Sequence, residues 1–412
     1  MKPIYKYLII AALLALFFLG IYLLWKNLTA TPSVQEPQAN ENVSSTLPVL
    51  SNTPQPSGES SSSPSFGTMP GNASVGVNLA KISDVPAFAY WVLKDTGEVY
   101  YITPTGAVWS AKNGPDIDIS DQTIGALDGV AVAPGGKKIL ASFGDPNAPQ
   151  WGVFDVIDKA WRPLPQDVMN AAWGADDTQL VATVKNGPSA SLAFVDLQKT
   201  PPAYKTIVSD FNLQDVWFKF EAPQNLYVIE RPTYAYPTRV WLLNTKTLEF
   251  DLVLQAEKGL WLGWDRSGSS AFLFSPNSNY LFFMDNNLGN RESMPLVTFP
   301  GKCDSAADTT YCFVPNNLSW EQPLSFTLPD DYLEKKLYTV DDLYTFTSST
   351  KEIGLVFGAP LSGLQKVDAI DPEIAENSLY FLNRYDGFVY SVNLPPTQNA
   401  GSVSSSTSGS SS

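Results

Sequence analysis

The 412-residue sequence contains no histidine. That absence removes Ser-His-Asp and Cys-His catalysis, imidazole metal ligands and histidine proton relays together. Cysteine is almost missing too: there are two, too few without histidine to build a zinc site. Charged residues make up only 16% of the chain, and the formal net charge is −15. An acidic balance of that size repels nucleic acid and anionic headgroups, so no nucleic-acid partner is expected for the folded part. Helical periodicity is scarce. There is no P-loop, no GxSxG, no metal-ligand spacing and no carboxylate pair that spacing alone would mark for glycosidase chemistry. Asp116, Asp118 and Asp121 alternate with Ile117 and Ile119 at strand period and lack the Gly and terminal Glu of a calcium loop. No catalytic residue, metal or cofactor is therefore assigned, and the chain reads as a non-enzyme.

What is present begins with one long apolar run. Residues 7–25, "YLIIAALLALFFLGIYLLW", carry no charge. At about 1.5 Å per helical residue they nearly match a hydrocarbon core of about 30 Å, which predicts a transmembrane signal anchor. A cleaved signal peptide is the competing reading, but its apolar region is shorter, roughly 7 to 15 residues. Lys2 and Lys6 precede the run, and after Lys26 the next basic residue is Lys81. The positive-inside rule then places residues 1–6 in the cytoplasm and the remainder outside, making the protein a single-pass membrane protein with an extracytoplasmic body. Residues 26–76 are dominated by Ser, Pro, Thr and Asn, a composition expected to form a flexible linker. Residues 395–412 read as a similar Ser/Gly-rich disordered tail.

Hydrophobic residues make up 44% of the chain and aromatics 12%, with 27 glycines and 32 prolines. That composition suits a large core built from short strands and turns. Cys303 and Cys312, in "KCDSAADTTYC", predict a cross-strand disulfide suited to an oxidising compartment, with two reduced, buried thiols as the alternative.

Between residues 77 and 394 one grammar recurs. "GVAVAPGGKKILASF", "NAAWGADDTQLVATV", "DVWFKFEAPQNLYVIE" and "LWLGWDRSGSSAFLFS" each read as strand, tight turn, strand, and each is followed by two further strands. The ends of the outermost strands fall near Ser83, Ser120, Pro165, Ser209, Gln255, Phe299 and Phe357, at intervals of 37, 45, 44, 46, 44 and 58 residues. About 40 to 45 residues per four-stranded unit is the spacing of propeller blades. The last unit, after Phe357, offers only three strands, whereas "LAKIS" at the other end is a strand without a unit. An N-terminal strand completing the last blade resolves both, and predicts an all-β, seven-bladed β-propeller; six or eight blades are also compatible with the long interval.

The turns in "VAVAPGGKKIL", "AAWGADDTQLV" and "GWDRSGSSAFL" resemble those of WD40-like and TolB-like β-propellers, in particular single-pass membrane-anchored propellers of small-genome bacteria. The resemblance covers roughly Leu79 to Leu394 and implies a fold rather than a chemistry. The Gly-His and terminal Trp-Asp dipeptides of eukaryotic WD40 repeats are absent, so the polar network of that branch is not carried over.

The second-to-third connections, "GDPNAPQ", "KNGPSA" and "RPTYAYPT", read as longer than the first turns, and they nominate one face for recognition. In "ERPTYAYPTR", Tyr234 and Tyr236 stand between Arg231 and Arg239, a residue set that dominates interface hot spots; packing of the tyrosines on a neighbouring blade is the alternative. The excursion 315–336 predicts a short helix in "PDDYLEKKL", with Trp320, Tyr332 and Leu333 as apolar surface for a partner or for the propeller rim. The functional expectation is a membrane-tethered module that binds an envelope or surface protein. The alternative is an enzyme acting on envelope polysaccharide through carboxylates gathered at the channel.

Overall fold

Each repeating run folds into a four-stranded antiparallel sheet, and seven such sheets form the blades of a propeller. The computed structural model describes residues 78–394 apart from 112–113, 214, 223, 279, 319–325 and 359–363. The segments 1–6, 7–25 and 26–76 and the tail 395–412 lie outside the described residues. Among those described, no helix is long and apolar enough to cross a membrane.

Blade 1 comprises Ala89–Val92, Val99–Ile102, Val108–Ala111 and Ile117–Asp118, from channel to rim. Blade 2 comprises Leu127–Val132, Lys138–Asp145, Ala148–Asp155 and Ala160–Pro163, and blade 3 Val168–Trp173, Gln179–Asn186, Ser189–Asp196 and Ala203–Val208. Blade 4 is Val216–Ala222, Asn225–Glu230, Pro237–Asn244 and Phe250–Lys258; blade 5 is Trp261–Trp264, Ser270–Ser275, Tyr280–Asp285 and Glu292–Met294. Blade 6 holds Cys303–Ala306, Thr309–Pro315, Asp341–Thr347 and Glu352–Phe357. Blade 7 has three strands from the end of the body, Ala369–Ala375, Ser378–Asn383 and Val389–Asn393, and beyond them Leu79–Lys81, whose residues face Val392, Ser391 and Tyr390.

The core is divided among the seams between blades. Among the described residues seven clusters of buried side chains occur, one at each seam. The strand pleat explains why. Trp91 and Tyr100 point to blade 2, whereas their chain neighbours Tyr90 and Tyr101 point to blade 7. Successive side chains take opposite faces, and both faces are covered, so a strand such as "ILAS" or "LVATV" is apolar throughout rather than alternating.

Two expectations change in detail. "GDPNAPQ" and "KNGPSA" are not long loops: in blades 2 and 3 the strands run on to Asp145 and Asn186 and turn through two residues. Polar residues at strand ends looked like loop, but the ladder carries them as exposed hairpin extensions. The helix of the blade 6 excursion is a single turn, Asp330–Leu333. Cys303 and Cys312 are disulfide-bonded, directly opposed across the two innermost strands of blade 6.

Candidate functional site

The face carrying the second-to-third connections has its most elaborate structure over blade 4. There the loop between Asn225–Glu230 and Pro237–Asn244 meets the Asp330–Leu333 turn. The Thr233 hydroxyl donates to Asp330 Oδ1 at 2.5 Å, and the Tyr234 backbone N–H donates to Asp330 Oδ2 at 2.7 Å. Gly259 N–H donates to the Thr233 carbonyl at 2.7 Å. Gly259 has φ +72°, and a Cβ there would stand 2.8 Å from the Leu328 carbonyl oxygen, so only glycine lets the three segments close up. The loop is therefore braced at its base while its tip stays open. Tyr234 is 50% exposed and Tyr236 42%.

The flanking arginines are also exposed. Arg239 donates to Glu230 through Nε at 3.1 Å, and Arg231 lies 3.8 Å from Asp215. Lys258 Nζ is 5.8 Å from the Tyr234 ring centre. Burial, with the carboxylates of Asp215 and Glu230 nearby, raises the Tyr236 pKa, so its hydroxyl stays a neutral donor.

Tyr332 and Leu333 do not join this patch. Tyr332 is 4% exposed and packs with its ring tilted against Phe299 at 4.4 Å and Trp261 at 6.1 Å between ring centres; Leu333 packs against the same cluster. The helical turn gains its stability from the rim, as a short helix must. Trp320 lies outside the described residues. Beneath Tyr332 is a buried ionic cluster: Lys302 Nζ donates to Asp341, to Asp368 at 2.8 Å and to the Ala369 carbonyl at 3.0 Å. Arg384 lies 3.3 Å from Asp368, and Thr339 donates its hydroxyl to it. Burial disfavours the Lys302 charge, but Asp341, with Tyr332 and Asp368, outweighs it and raises the Lys302 pKa. This cluster holds blades 6 and 7 together.

The opposite end of the channel holds a cavity of about 580 Å³. Its wall comes from the ends of innermost strands and their tight turns: Trp91, Trp173, Phe218, Lys219, Trp264 and Arg266 belong to four different blades. Carboxylates staple neighbouring blades around it. Glu373 accepts from Val92 N–H at 3.2 Å and lies 3.9 Å from the Arg266 guanidinium. Asp177 accepts from Gly135 N–H at 2.7 Å. Asp304 accepts from the backbone N–H groups of Arg266 and Ile374, at 3.0 and 2.7 Å, and so joins blades 5, 6 and 7. Burial pushes the Asp304 pKa up to about 7, although its two N–H donors pull the other way. Among the described residues no cluster of three or more carboxylate or cysteine side chains is arranged to hold a metal ion.

The sequence reading missed this cavity, since each contributing residue is separated from the next by a blade. A signal existed: Trp91, Trp173 and Trp264 all stand at the end of an innermost strand, just before its turn.

Seven four-stranded blades around a channel define the chain as a β-propeller. No family model matches its sequence, and no curated protein does. Solved structures do match in shape. An oligogalacturonate lyase from Vibrio parahaemolyticus is similar with a TM-score of 0.50 and 10% identity, over 78% of this chain and 98% of that one. The Cps50 (Swd1) β-propeller domain of Myceliophteria thermophila gives 0.49 and 10%, over 77% and 100%. A chain of a nidogen/laminin complex gives 0.38 and 11%, over 65% and 95%. At 10% identity the likeness to the lyase is one of fold.

Proposed function

We propose that this propeller is a non-enzymatic binding module that engages a protein of the cell envelope through the blade 4 loop, with Arg231, Tyr234, Tyr236 and Arg239 as its contacts. The observation that carries this reading is the Asp330 brace. It holds two exposed tyrosines on a backbone already fixed in place, so little conformational entropy remains to be lost on association. Aromatic and arginine side chains in one rigid patch are the residue types on which interfaces concentrate their energy.

The same reading hangs the module outside the cytoplasmic membrane on the helix 7–25 and the linker 26–76. The uncharged run, the lysines before it and a disulfide suited to an oxidising compartment support it. The strand Leu79–Lys81 then closes the ring at the point where the linker ends, so tension on the tether is borne by a strand already paired in blade 7.

A photo-crosslinking amino acid placed at position 234 or 236 in intact cells tests the proposal. A discrete protein adduct, lost when the label is moved to the exposed outer-strand residue Tyr204, is expected. Equal labelling at all three positions would sink the choice of face. Labelling of a cysteine placed at the exposed Ile157 by a thiol reagent confined to the cytoplasm would overturn the topology.

A further inference from the structure

The channel cavity holds chemistry that partner binding on the opposite face does not use. Its aromatic wall is oriented. Trp91 donates its indole N–H to the Gly136 carbonyl at 2.9 Å, Trp173 to Ala131 at 2.8 Å and Trp264 to Asn286 at 3.5 Å. Trp91 and Trp173 are otherwise packed in their seams, at 1% and 7% exposure, so of the three only the half-buried Trp264 keeps ring surface to offer the cavity.

The charges of the wall are unevenly matched. Arg266 faces Glu373, and Glu221 accepts from Asn225 Nδ2 at 3.1 Å. Lys94 and Lys219 remain, and among the described residues neither has a carboxylate within ion-pair distance. Asp265, which acts on Lys219 from further away, is taken up by Ser267, Ser269 and the Ser270 N–H. Lys219 Nζ lies 6.0 Å from the Trp264 ring centre. Beside it is Gly268 with φ +73°, where a Cβ would come within 2.9 Å of the amine. Burial pulls the Lys219 pKa below that of an ordinary lysine. A chain of net charge −15 thus keeps a partly buried ammonium without a close counter-ion, at an apolar wall.

We propose that this cavity binds an organic monocarboxylate bearing a flat ring, with the ring against Trp264 and the carboxylate on Lys219, Lys94 standing at the entrance. The volume lies within the range of about 300 to 1,000 Å³ usual for small-molecule sites. A carboxylate suits the site better than a phosphate, because the available cations are two separate point charges and the single guanidinium fork is already opposed by Glu373.

Calorimetric titration of the full-length protein with 2-naphthoate, its neutral amide 2-naphthamide and the cation 2-naphthylmethylammonium tests this. The naphthoate is expected to bind at least ten-fold more tightly than the amide. Lys219→Met should cost the naphthoate ten-fold or more while leaving the amide unchanged, and Lys219→Arg should restore most of the loss. Lys94→Gln, at an exposed position, should cost about three-fold, and it keeps the test decisive if Lys219→Met does not fold. Tyr234→Ala/Tyr236→Ala should leave naphthoate binding unaltered, which separates this site from the partner face. Equal affinity for all three probes, an unchanged naphthoate affinity in both lysine variants, or no binding at millimolar concentration would overturn the proposal.

Discussion

The seam between blades 2 and 3 and the seam between blades 6 and 7 close the same kind of gap by different means. The first is filled by Leu140, Leu180, Val195, Trp173 and their neighbours, aliphatic and aromatic throughout. The second has an apolar cluster around Phe313 and Phe381, and beside it the sealed group of Lys302, Asp341, Asp368 and Arg384. An apolar seam loses stability in proportion to the volume removed. An ionic seam fails when one member is lost, because the remaining charges stay buried without compensation. The ionic seam also borders the blade that takes its fourth strand from the far end of the body. A charged network is geometrically selective where a greasy contact is tolerant, which suits the place where the ring must close in one register.

The first way to break the comparison is to remove residues 79–84. This strips the outer strand from Val389–Asn393, along with the Ser83 hydroxyl that accepts from Val389 N–H at 3.0 Å. Thermal melting should fall further than for any single substitution, since blade 7 is left with an open edge and the seams on both sides of it are weakened. A deletion that melts like the parent would refute a closing role for the strand.

Next, Lys302→Met should cost about 3–5 kcal/mol at pH 7, against about 2–5 kcal/mol for Leu180→Ala in the apolar seam. Only the lysine variant should recover on acidification. With Lys302 gone, Asp341, whose carboxyl pKa burial already raises, loses its cation and has a folded pKa above its unfolded one, while Asp368 keeps Arg384. The Asp341 contribution is then complete below the unfolded pKa and lost as pH rises through the folded one. Denaturant melts of both variants at pH 4 and pH 7 would sharpen the contrast; parallel losses at both pH values would erase it.

Asp304 offers a third test, again on the charged side of the ring. Its folded pKa near 7 exceeds that of an unfolded aspartate. The stability it contributes is therefore full below about pH 4 and falls away up to about pH 7, by at most about 4 kcal/mol. In a protein without histidine, few other groups titrate between pH 6 and 8. Asp304→Asn should flatten that part of the stability–pH curve, and an unchanged slope would show that the carboxyl ionises normally.

Smaller effects follow at the edges. Replacing Cys303 and Cys312 with serine opens a link between residues only 9 apart, and should cost about 2–3 kcal/mol. Tyr234→Ala and Tyr236→Ala should change stability by less than about 0.5 kcal/mol, as exposed positions do, while weakening partner capture by ten-fold or more. Tyr332→Ala should do the reverse, because that ring is packed inside the rim.

Tyr332 marks the limit of what could be read in advance. "PDDYLEKKL" announces a helical turn through its charges, yet nothing local says which way its ring points; Phe299, Trp261 and Arg384 decide that from other blades. The composition of the arginine–tyrosine loop was legible, but its exposure was not, since packing of Tyr234 and Tyr236 on a neighbouring blade was an equally local reading. Its brace was not, because Asp330 is 96 residues from Tyr234. The extent of the hairpins in blades 2 and 3 was also misjudged, since polar strand ends and loops share the same residue types.

By itself the sequence determined the strand runs, the tight turns, the blade period and hence the all-β ring. These depend on contiguous residues, where alternation, turn propensity and spacing act over a few positions. Only the tertiary structure decided which side chains meet at the channel and the seams. Lys302 reaches Asp368 across 66 residues, and Tyr90 donates to the Asp371 carbonyl across 281. Such meetings depend on the angle between blades and on the closure of the whole circle, and no local pattern carries that information.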